Sequence, residues 1–205
     1  MRKEKTVLIG AGGHTRSLLS IIDFNQFDIT GIYDDSFSPH RNEMIGSIPV
    51  CGIIRDIPKD AQIIIASGNL KTKHSLFKSF ESRLTNFNFF HSTAIIEQQV
   101  KIGIRNQFFA GSIVNVYAEI GNDNIINSGA IIEHEAIIGN NNHISVGTVL
   151  CGRTKIGNHC FIGASAVIID GVELADNIII GANSVVINNI QEPGTYVGNP
   201  AKKIK

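Results

Sequence analysis

The sequence predicts two joined architectures, a small Rossmann-like parallel α/β domain and, after it, a parallel β-helix. Two observations carry the prediction. Before residue 85, strand-like apolar runs alternate with helical patterns, which indicates a small parallel sheet. From Ile96 to Val186, a large apolar residue returns at every sixth position without a break. A period of six fits neither an amphipathic helix nor a hairpin strand and is typical of a parallel β-helix. We therefore expect domains at 1–88 and 89–205.

The elements of the first domain follow from its apolar runs. Runs rich in β-branched residues predict strands at 6–10, 29–33 and 62–67. A helical pattern through Leu18, Leu19 and Ile22 follows the first strand, and a second helix is expected over roughly 71–84.

A glycine turn follows the first strand. Gly10, Gly12 and Gly13 let the backbone turn tightly and leave N–H groups free to hold an anion at a helix N-terminus. The third glycine falls one place too early for the full dinucleotide fingerprint. Asp34 and Asp35 lie about twenty residues on, where a ribose or base contact is expected. The pattern predicts half a dinucleotide site, for one nucleotide; the alternative is a strand–helix turn without a ligand.

The second domain is defined by its hexads. The sixteen apolar positions are Ile96, Ile102, Phe108, Val114, Ile120, Ile126, Ile132, Ile138, Ile144, Leu150, Ile156, Ile162, Ile168, Leu174, Ile180 and Val186. The residue two places before each is usually small, as at Ala94, Ala130 and Ala166. Three hexads close one triangular coil, so residues eighteen apart should stack at about 4.8 Å.

One polar cluster stands out on the coils. His134 follows the interior Ile132 by two places, so its ring should point outward, and Glu133 and Glu135 flank it. A carboxylate can orient a histidine and make it more basic, as a general base requires. Gly152 lies one coil higher and would leave room and an N–H for a reacting carbonyl. The alternative is a solvated surface histidine.

Small residues also line up along the coils and predict a shallow groove for an extended apolar arm. Two columns are expected, Val146 with Ala164 and Ala182, and Ser145 with Gly163 and Gly181. The alternative is ordinary β-helix composition.

Composition narrows the class of protein. The net charge is zero and Lys and Arg form no block, so neither nucleic acid nor a membrane surface is an expected partner. No apolar run approaches the ~20 residues that span a bilayer, and the first residues lack a signal-peptide cleavage region. Three cysteines, Cys51, Cys151 and Cys160, argue against a disulfide framework and for a cytoplasmic, reducing compartment. Cys160 lies on the small-residue column and is interpreted as inert packing.

Taken together, these motifs resemble the bacterial hexapeptide-repeat acetyltransferases, in particular the nucleotide-linked aminosugar N-acetyltransferases and the sialic-acid O-acetyltransferases. The resemblance covers nearly the whole chain and rests on the segments Gly10–His14, Asp34–Asp35, Gly68–Asn69, Asn127 with Glu133–Glu135, His143 and Gly198–Lys202. It implies a left-handed β-helix, a homotrimer, and acetyl-CoA in the groove between neighbouring subunits. It also implies that the N-terminal domain holds the nucleotide of the sugar substrate.

The resemblance also implies roles for residues of the coils. His134 looks like the general base and Glu135 like the carboxylate that tunes it. His143 and the Gly152 backbone look like contacts to the thioester carbonyl. Ala164 and Ala182 look like backbone contacts to the CoA arm, and Asn127 like a contact to the sugar.

In the N-terminal domain, the family holds its nucleotide at the positions of Gly12, Gly13, His14, Asp34, Asp35 and Gly68. Two residues depart from the family pattern. Thr15 stands where a third small residue is common, and Lys73 stands where an arginine is usual. Both bear on nucleotide identity and phosphate geometry rather than on the chemistry.

The predicted function is acetyl transfer from acetyl-CoA to the amino group of a UDP- or dTDP-linked amino-dideoxy sugar, in particular a 4-amino-4,6-dideoxy sugar for O-antigen or another surface polysaccharide. The transfer would be direct, with His134 as base and without a metal. The alternative within the family is O-acetylation of sialic acid or a related free sugar.

Two other classes of β-helix protein fit the sequence less well. A zinc-dependent β-helix enzyme needs three convergent imidazoles, whereas His134, His143 and His159 are nine and sixteen residues apart. A non-catalytic scaffold would leave the glycine turn and the Glu-His-Glu cluster without a purpose.

Overall fold

The computed structural model describes residues 4–40 and 42–205. The chain divides into two compact units, Met1–Asn86 and Phe87–Lys205. Within the described residues, no helix combines the length and apolar character needed to cross a bilayer.

Among its described residues, the first unit forms a five-stranded sheet with two helices. Its elements are β1 (Glu4–Ile9), α1 (Gly13–Leu18), β2 (Phe27–Tyr33), β3 (Met44–Ile45), β4 (Ile48–Gly52), β5 (Gln62–Ile65) and α2 (Leu70–Phe80), with 3₁₀ turns at Ile54–Asp56 and Glu81–Arg83. The strand order is β3-β4-β2-β1-β5, and every pair is parallel except β3–β4. The carboxyl ends of β1, β2 and β5 therefore lie side by side.

The sheet forms because its central strand is apolar on both faces. Val7, Leu8 and Ile9 of β1 are all fully buried, as a strand covered on both sides requires. Leu76, Phe77 and Phe80 of α2 pack against the core that contains Val7 and Ile9, so α2 covers one face of the sheet.

Two features differ from the sequence prediction. The first helix ends at Leu18 and does not continue to Ile22, because the chain turns through Ser20 and Ile21, whose N–H groups bond three residues back. The hairpin β3–β4 was not predicted; its turn is Gly46-Ser47, with Gly46 at φ 62°. A two-residue turn between short apolar runs is a recognisable hairpin signal.

The second unit is a parallel β-helix whose strands form three sheets. The first coil sheet contains Ile95–Ile96, Ile113–Val114, Ile131–Ile132, Val149–Leu150, Val167–Ile168 and Val185–Val186. The second contains Lys101–Ile102, Glu119–Ile120, Ile137–Ile138, Lys155–Ile156 and Glu173–Leu174. The third contains Phe89–Phe90, Gln107–Phe108, Ile125–Ile126, His143–Ile144, Phe161–Ile162, Ile178–Ile180, Gly194–Val197 and Lys202–Lys203, of which the last pairs antiparallel.

Each coil therefore has three corners, which we number for reference. Corner 1 joins the third coil sheet to the first (for example residues 127–130), corner 2 joins the first to the second (133–136), and corner 3 joins the second to the third (139–142). Paired strands are offset by eighteen residues, as Ile132 and Leu150 show. The predicted stacking of residues eighteen apart is thus present.

The interior and the corners explain the period of six. Every hexad position from Phe108 to Val186 is buried, and Ile96 and Ile102 pack partly buried against the same core. The third residue after each interior position has a left-handed φ near +60°, from Gln99 to Asn183. Each hexad therefore combines one inward apolar residue with one sharp turn.

At corner 3, asparagines hold successive coils together. Asn106, Asn124 and Asn142 are fully buried. Each donates from its side-chain amide to a glycine carbonyl at 2.8–2.9 Å, and the side-chain oxygen accepts the backbone N–H one coil on at 2.7–2.9 Å. Because buried polar groups need partners, this ladder fixes the register of the coils.

Candidate active site

A cavity of about 420 Å³ opens beside the carboxyl ends of β1, β2 and β5. Its lining includes Ile9, Gly10, Gly12, Gly13, His14, Asp34, Ile54, Ala66, Ser67, Gly68, Asn69, Thr72 and Leu76. The predicted nucleotide residues Gly12, Gly13, His14, Asp34 and Gly68 are thus brought together, whereas Asp35 is not part of this lining. The ends of parallel strands are the usual place for a ligand in an open α/β sheet.

Asp34 fixes the glycine turn. Its Oδ2 accepts the Ala11 N–H at 2.7 Å, and its Oδ1 accepts the Ser36 N–H and hydroxyl. Partial burial alone would raise the pKa of Asp34, but the hydrogen bonds from Ser36 and Ala11 outweigh it and hold that pKa below 3.8. The carboxylate is therefore charged at neutral pH and already occupied in shaping the turn.

Thr15, one of the two residues that depart from the family pattern, completes the glycine turn. Its hydroxyl is fully buried and donates to the Gly10 carbonyl at 2.5 Å, with the Ala66 carbonyl at 3.3 Å. A glycine or an alanine at this position would leave both carbonyls without this bond. Asp35 contacts a different segment of the chain, where its Oδ1 accepts the Ile54 N–H at 3.0 Å. The Asp35 side chain is exposed.

In the second unit, the Glu-His-Glu cluster lies at corner 2. His134 Nδ1 is 3.1 Å from Glu135 Oε2, and both side chains are about half exposed. Glu135 adopts a left-handed φ of 59°, the corner conformation common to all the hexads. This turn brings the carboxylate back beside the neighbouring imidazole. The contact leaves Nε2 as the ring nitrogen available for a substrate.

Gly152 receives the imidazole. A Cβ atom at position 152 would lie only 2.6 Å from His134 Cε1 and 2.7 Å from Nε2, so glycine is required for the ring to lie there. The Gly152 carbonyl accepts the Gly171 N–H. Its own N–H donates to no other residue among those the structure describes. A free backbone donor thus lies next to the imidazole.

A second polar pair lies where the third coil sheet leads into corner 1. Asn127 Nδ2 is 3.3 Å from His143 Nε2, and the His143 ring packs edge-on against Phe161 with centroids 5.1 Å apart. His143 is buried. Ala164 and Ala182 follow on later coils of corner 1, half-buried and exposed respectively.

The predicted coil residues therefore form two groups within one chain. His134, Glu135 and Gly152 lie at corner 2, while Asn127, His143, Ala164 and Ala182 lie at or beside corner 1. One strand of the first coil sheet separates these corners. The sequence positions alone do not reveal this separation.

The other reactive side chains are placed as follows. Burial raises the pKa of the Cys160 thiol to about 11, so it is protonated and fits the packing role expected from its column. All three cysteines are free. His159 lies at corner 3, where its Nδ1 is 2.9 Å from Asn141 Nδ2. Within residues 4–40 and 42–205, no group of three His, Cys, Asp or Glu side chains is arranged to hold a metal ion.

Comparison with known proteins matches both units. Residues 5–80 match the PglD N-terminal domain, and residues 153–187 match the hexapeptide repeat of succinyl-transferase. The chain is a hexapeptide-repeat acetyltransferase with a PglD-type N-terminal domain. The family, the enzyme class and the α/β plus β-helix fold expected from the sequence are thereby confirmed. No curated protein matches the sequence significantly.

Solved structures superpose over almost the full length of the acetyltransferase. PerB from Caulobacter crescentus, in complex with CoA and GDP-perosamine, is 25% identical with a TM-score of 0.87, covering 98% of this chain and 97% of its own. The acetyltransferase domain of PglB from Neisseria gonorrhoeae, in complex with acetyl coenzyme A, is 22% identical with a TM-score of 0.85, covering 99% and 100%. WeeI from Acinetobacter baumannii is 21% identical with a TM-score of 0.86, covering 98% and 100%. The last two establish the fold alone.

Proposed function

We propose that this acetyltransferase transfers the acetyl group of acetyl-CoA to the amine of a UDP- or dTDP-linked amino-dideoxy sugar, in particular a 4-amino-4,6-dideoxy sugar. The observation that carries the proposal is His134, oriented by Glu135 and seated on Gly152 beside a free backbone N–H. PerB, which is 25% identical, is known in complex with CoA and GDP-perosamine, a nucleotide-linked aminosugar.

In the proposed mechanism, the two nitrogens of the His134 imidazole have different roles. Glu135 holds Nδ1, so Nε2 is free to take a proton from the attacking amine. The Gly152 N–H is a donor for the thioester oxygen, on which negative charge grows during attack. Acetyl-CoA supplies the activated acetyl group. Alignment of amine and thioester provides much of the acceleration without a covalent intermediate.

The N-terminal cavity is proposed as the nucleotide site. Gly12 and Gly13 line it, and no described residue comes within 4 Å of the point where either side chain would start. Their backbone N–H groups can therefore approach an anion closely. His14 and Gly68 border the same space. Asp34 would act by holding the turn, and Asp35, which is exposed, by contacting the nucleotide directly.

We further propose a homotrimer, because a complete site needs both corner 1 and corner 2. Equivalent positions of these two corners are six residues apart along the coil, which corresponds to roughly 15–20 Å at about 3.3 Å per residue. A single acetyl group cannot reach His134 at one corner and His143 at the other within one chain. In the proposed trimer, corner 1 of one copy faces corner 2 of the next, and this head-to-tail contact closes into a ring after three copies.

The surface of corner 2 favours such packing. Large apolar side chains collect there, and Val116, Tyr117, Ile169 and Ile187 are 36–56% exposed. Apolar side chains grouped in this way are typical of an interface between subunits. The CoA arm would then lie between the column of Ala164 and Ala182 and the neighbouring copy.

Two further proposals follow from the same site. The three free cysteines fit a reducing, cytoplasmic compartment, and the product would serve O-antigen or another surface polysaccharide. O-acetylation of sialic acid or a related free sugar is the second candidate, because the same base could activate a hydroxyl.

The experiment is a panel assay. The enzyme is incubated with acetyl-CoA and UDP-, dTDP- or GDP-linked aminosugars, with free sialic acid in parallel, and released thiol is measured. We expect turnover of a nucleotide-linked amine. His134→Asn should lower turnover by about 10²–10⁴-fold. The turnover of this variant should recover as the pH exceeds the pKa of the sugar amine, because the amine then arrives neutral. Thiol release with free sialic acid, but with none of the nucleotide-linked aminosugars, would contradict the proposal.

A further inference from the structure

Two side chains from different coils converge on the space beside Gly152. A Cβ at this position would lie 2.7 Å from His134 Nε2 and 2.9 Å from Asp170 Oδ1. The two atoms are therefore at most about 6 Å apart, by the geometry of these distances. Both atoms thus border the same space beside Gly152, in which a substrate donor can approach each of them. Asp170 belongs to the column of His134 and Gly152, two coils on from the histidine.

The Asp170 carboxylate is held in this direction. Its Oδ2 accepts a hydrogen bond from Arg153 Nη2. Arg153 is itself tied to the histidine, because its backbone N–H donates to the His134 carbonyl at 2.9 Å. The other oxygen, Oδ1, accepts no hydrogen bond from the residues that the structure describes. One oxygen is thus anchored and the other faces the imidazole.

The electrostatic field at this place is negative. Glu135 lies beside the His134 ring, and the Glu133 carboxylate accepts the His134 N–H at 3.4 Å. Asp170 adds a third carboxylate, which is paired with Arg153. Burial raises the pKa of the nearby Cys151 thiol, and the negative charges of Glu133 and Asp170 raise it further. A cation is therefore favoured over a neutral group here.

We propose that Asp170 selects the acceptor: its Oδ1 accepts a hydrogen bond from the protonated amine of the substrate, opposite His134 Nε2, and so favours an amine over a hydroxyl. The inference rests on the proposed function and deepens it. A primary amine with a pKa near that of an α-amino group, about 8, is largely protonated at neutral pH. The carboxylate holds this form, which a hydroxyl cannot provide.

Three proton transfers accompany the reaction. His134 takes one proton from the bound ammonium and leaves a neutral amine. The nitrogen attacks the thioester carbon, forming the C–N bond as the C–S bond breaks. The second proton of the nitrogen passes to the departing thiolate, and His134 releases its proton to water. Asp170 remains charged throughout.

The test compares two variants that remove one negative charge each from neighbouring ion pairs. Asp170→Asn is the test variant. Glu173→Gln is the matched control, since Glu173 pairs with Lys155 at 2.7 Å three residues along the chain and is comparably exposed. For each, kcat/KM is measured at pH 7 with the best nucleotide-linked amine from the panel. The same nucleotide sugar carrying a hydroxyl in place of the amine is measured as a competitive inhibitor.

We expect Asp170→Asn to lower kcat/KM for the amine by about ten-fold, the lower end for a charged hydrogen bond at a half-exposed site. Inhibition by the hydroxyl analogue and KM for acetyl-CoA should stay unchanged, and Glu173→Gln should match the wild type. The loss should shrink above the pKa of the amine. Asp170→Ser gives the same comparison if the first variant is unstable.

An unchanged amine-to-hydroxyl preference in the Asp170 variants would overturn the inference while leaving the proposed function intact. Equal losses for Asp170→Asn and Glu173→Gln would also overturn it, since they would reflect general charge alone. Failure of the wild-type enzyme to acetylate any nucleotide-linked amine would instead refute the proposed function.

Discussion

The imidazole of His134 occupies the space in which a side chain at Gly152 would begin. Its Cε1 and Nε2 atoms lie 2.6 and 2.7 Å from that point. A methyl group there must push the ring aside, and the half-exposed ring can move without disturbing the core. Replacing the Gly152 hydrogen by a methyl group would therefore displace His134, the proposed base.

Gly152→Ala should consequently impair catalysis more than folding. We expect turnover to fall by about 10²-fold, as for an ångström-scale displacement of a catalytic group, with little change in thermal unfolding. Gly111→Ala is the matched control, because Gly111 has a left-handed φ of 66° and nothing within 4 Å of the added methyl. That variant should lose about 1–2 kcal/mol of stability and retain turnover. The opposite pattern in the two variants would refute the role of Gly152.

Glu135→Gln tests the orientation of the base. The amide keeps the size of the side chain but removes the charge that lies 3.1 Å from His134 Nδ1. We expect about a ten-fold loss in turnover, well short of the effect of His134→Asn, because the contact is half exposed. Glu133→Gln is the control and should have a smaller effect. Equal losses in both variants would show that general charge, not the contact with Nδ1, matters.

Gly12→Val and Ala182→Phe should separate the two substrates. Gly12 has φ −83° and ψ −170°, which any residue adopts, and its added side chain would enter the cavity without a clash. We expect KM for the nucleotide sugar to rise and KM for acetyl-CoA to stay constant. Ala182→Phe, at the exposed end of the corner 1 column, should do the reverse. Steady-state kinetics with each substrate varied in turn provide the measurement, and parallel changes in both constants would argue against two separate sites.

Mixed trimers test whether two copies build one site. His134→Asn damages corner 2 and His143→Ala damages the region of corner 1, so a trimer containing both variants regains intact pairs of corners. With random mixing, about one site in four should be restored. The control mixes His134→Asn with Gly152→Ala, which both damage corner 2 and should not complement. Absence of rescue in the first mixture, with light scattering showing an active monomer, would refute the trimer.

Asp34→Ala should loosen the glycine turn. Loss of the bond to the Ala11 N–H should lower stability by about 1–2 kcal/mol and raise KM for the nucleotide sugar. Since the pKa of Asp34 is lowered below 3.8 in the folded chain, its stabilisation is present above pH 3.8 and disappears as the pH falls through the folded pKa. Urea unfolding of wild type and variant should therefore differ at pH 6 and converge in strong acid. A constant difference at all pH values would contradict this.

The period of six made the β-helix predictable, because it is a property of the local sequence that survives without any tertiary information. The same pattern identified the column that contains His134 and Gly152, which lie eighteen residues apart. The grouping of His143 with Asn127, away from His134, is not predictable in this way, because it depends on which corner each hexad occupies. The anchoring of Asp34 to Ala11 and the role of Thr15 depend on loop geometry, which residue types alone do not specify.

The asparagine ladder at corner 3 has a consequence for how the protein is made. Asn106, Asn124 and Asn142 each find their partners fifteen to eighteen residues away, in an adjacent coil, and none waits for a distant part of the sequence. Contacts of such short range close quickly and can propagate along a solenoid one repeat at a time. Each coil can therefore be laid onto the previous one while the ribosome is still adding residues. The growing end of the chain then exposes the backbone of one incomplete coil at a time rather than that of a whole unpaired sheet.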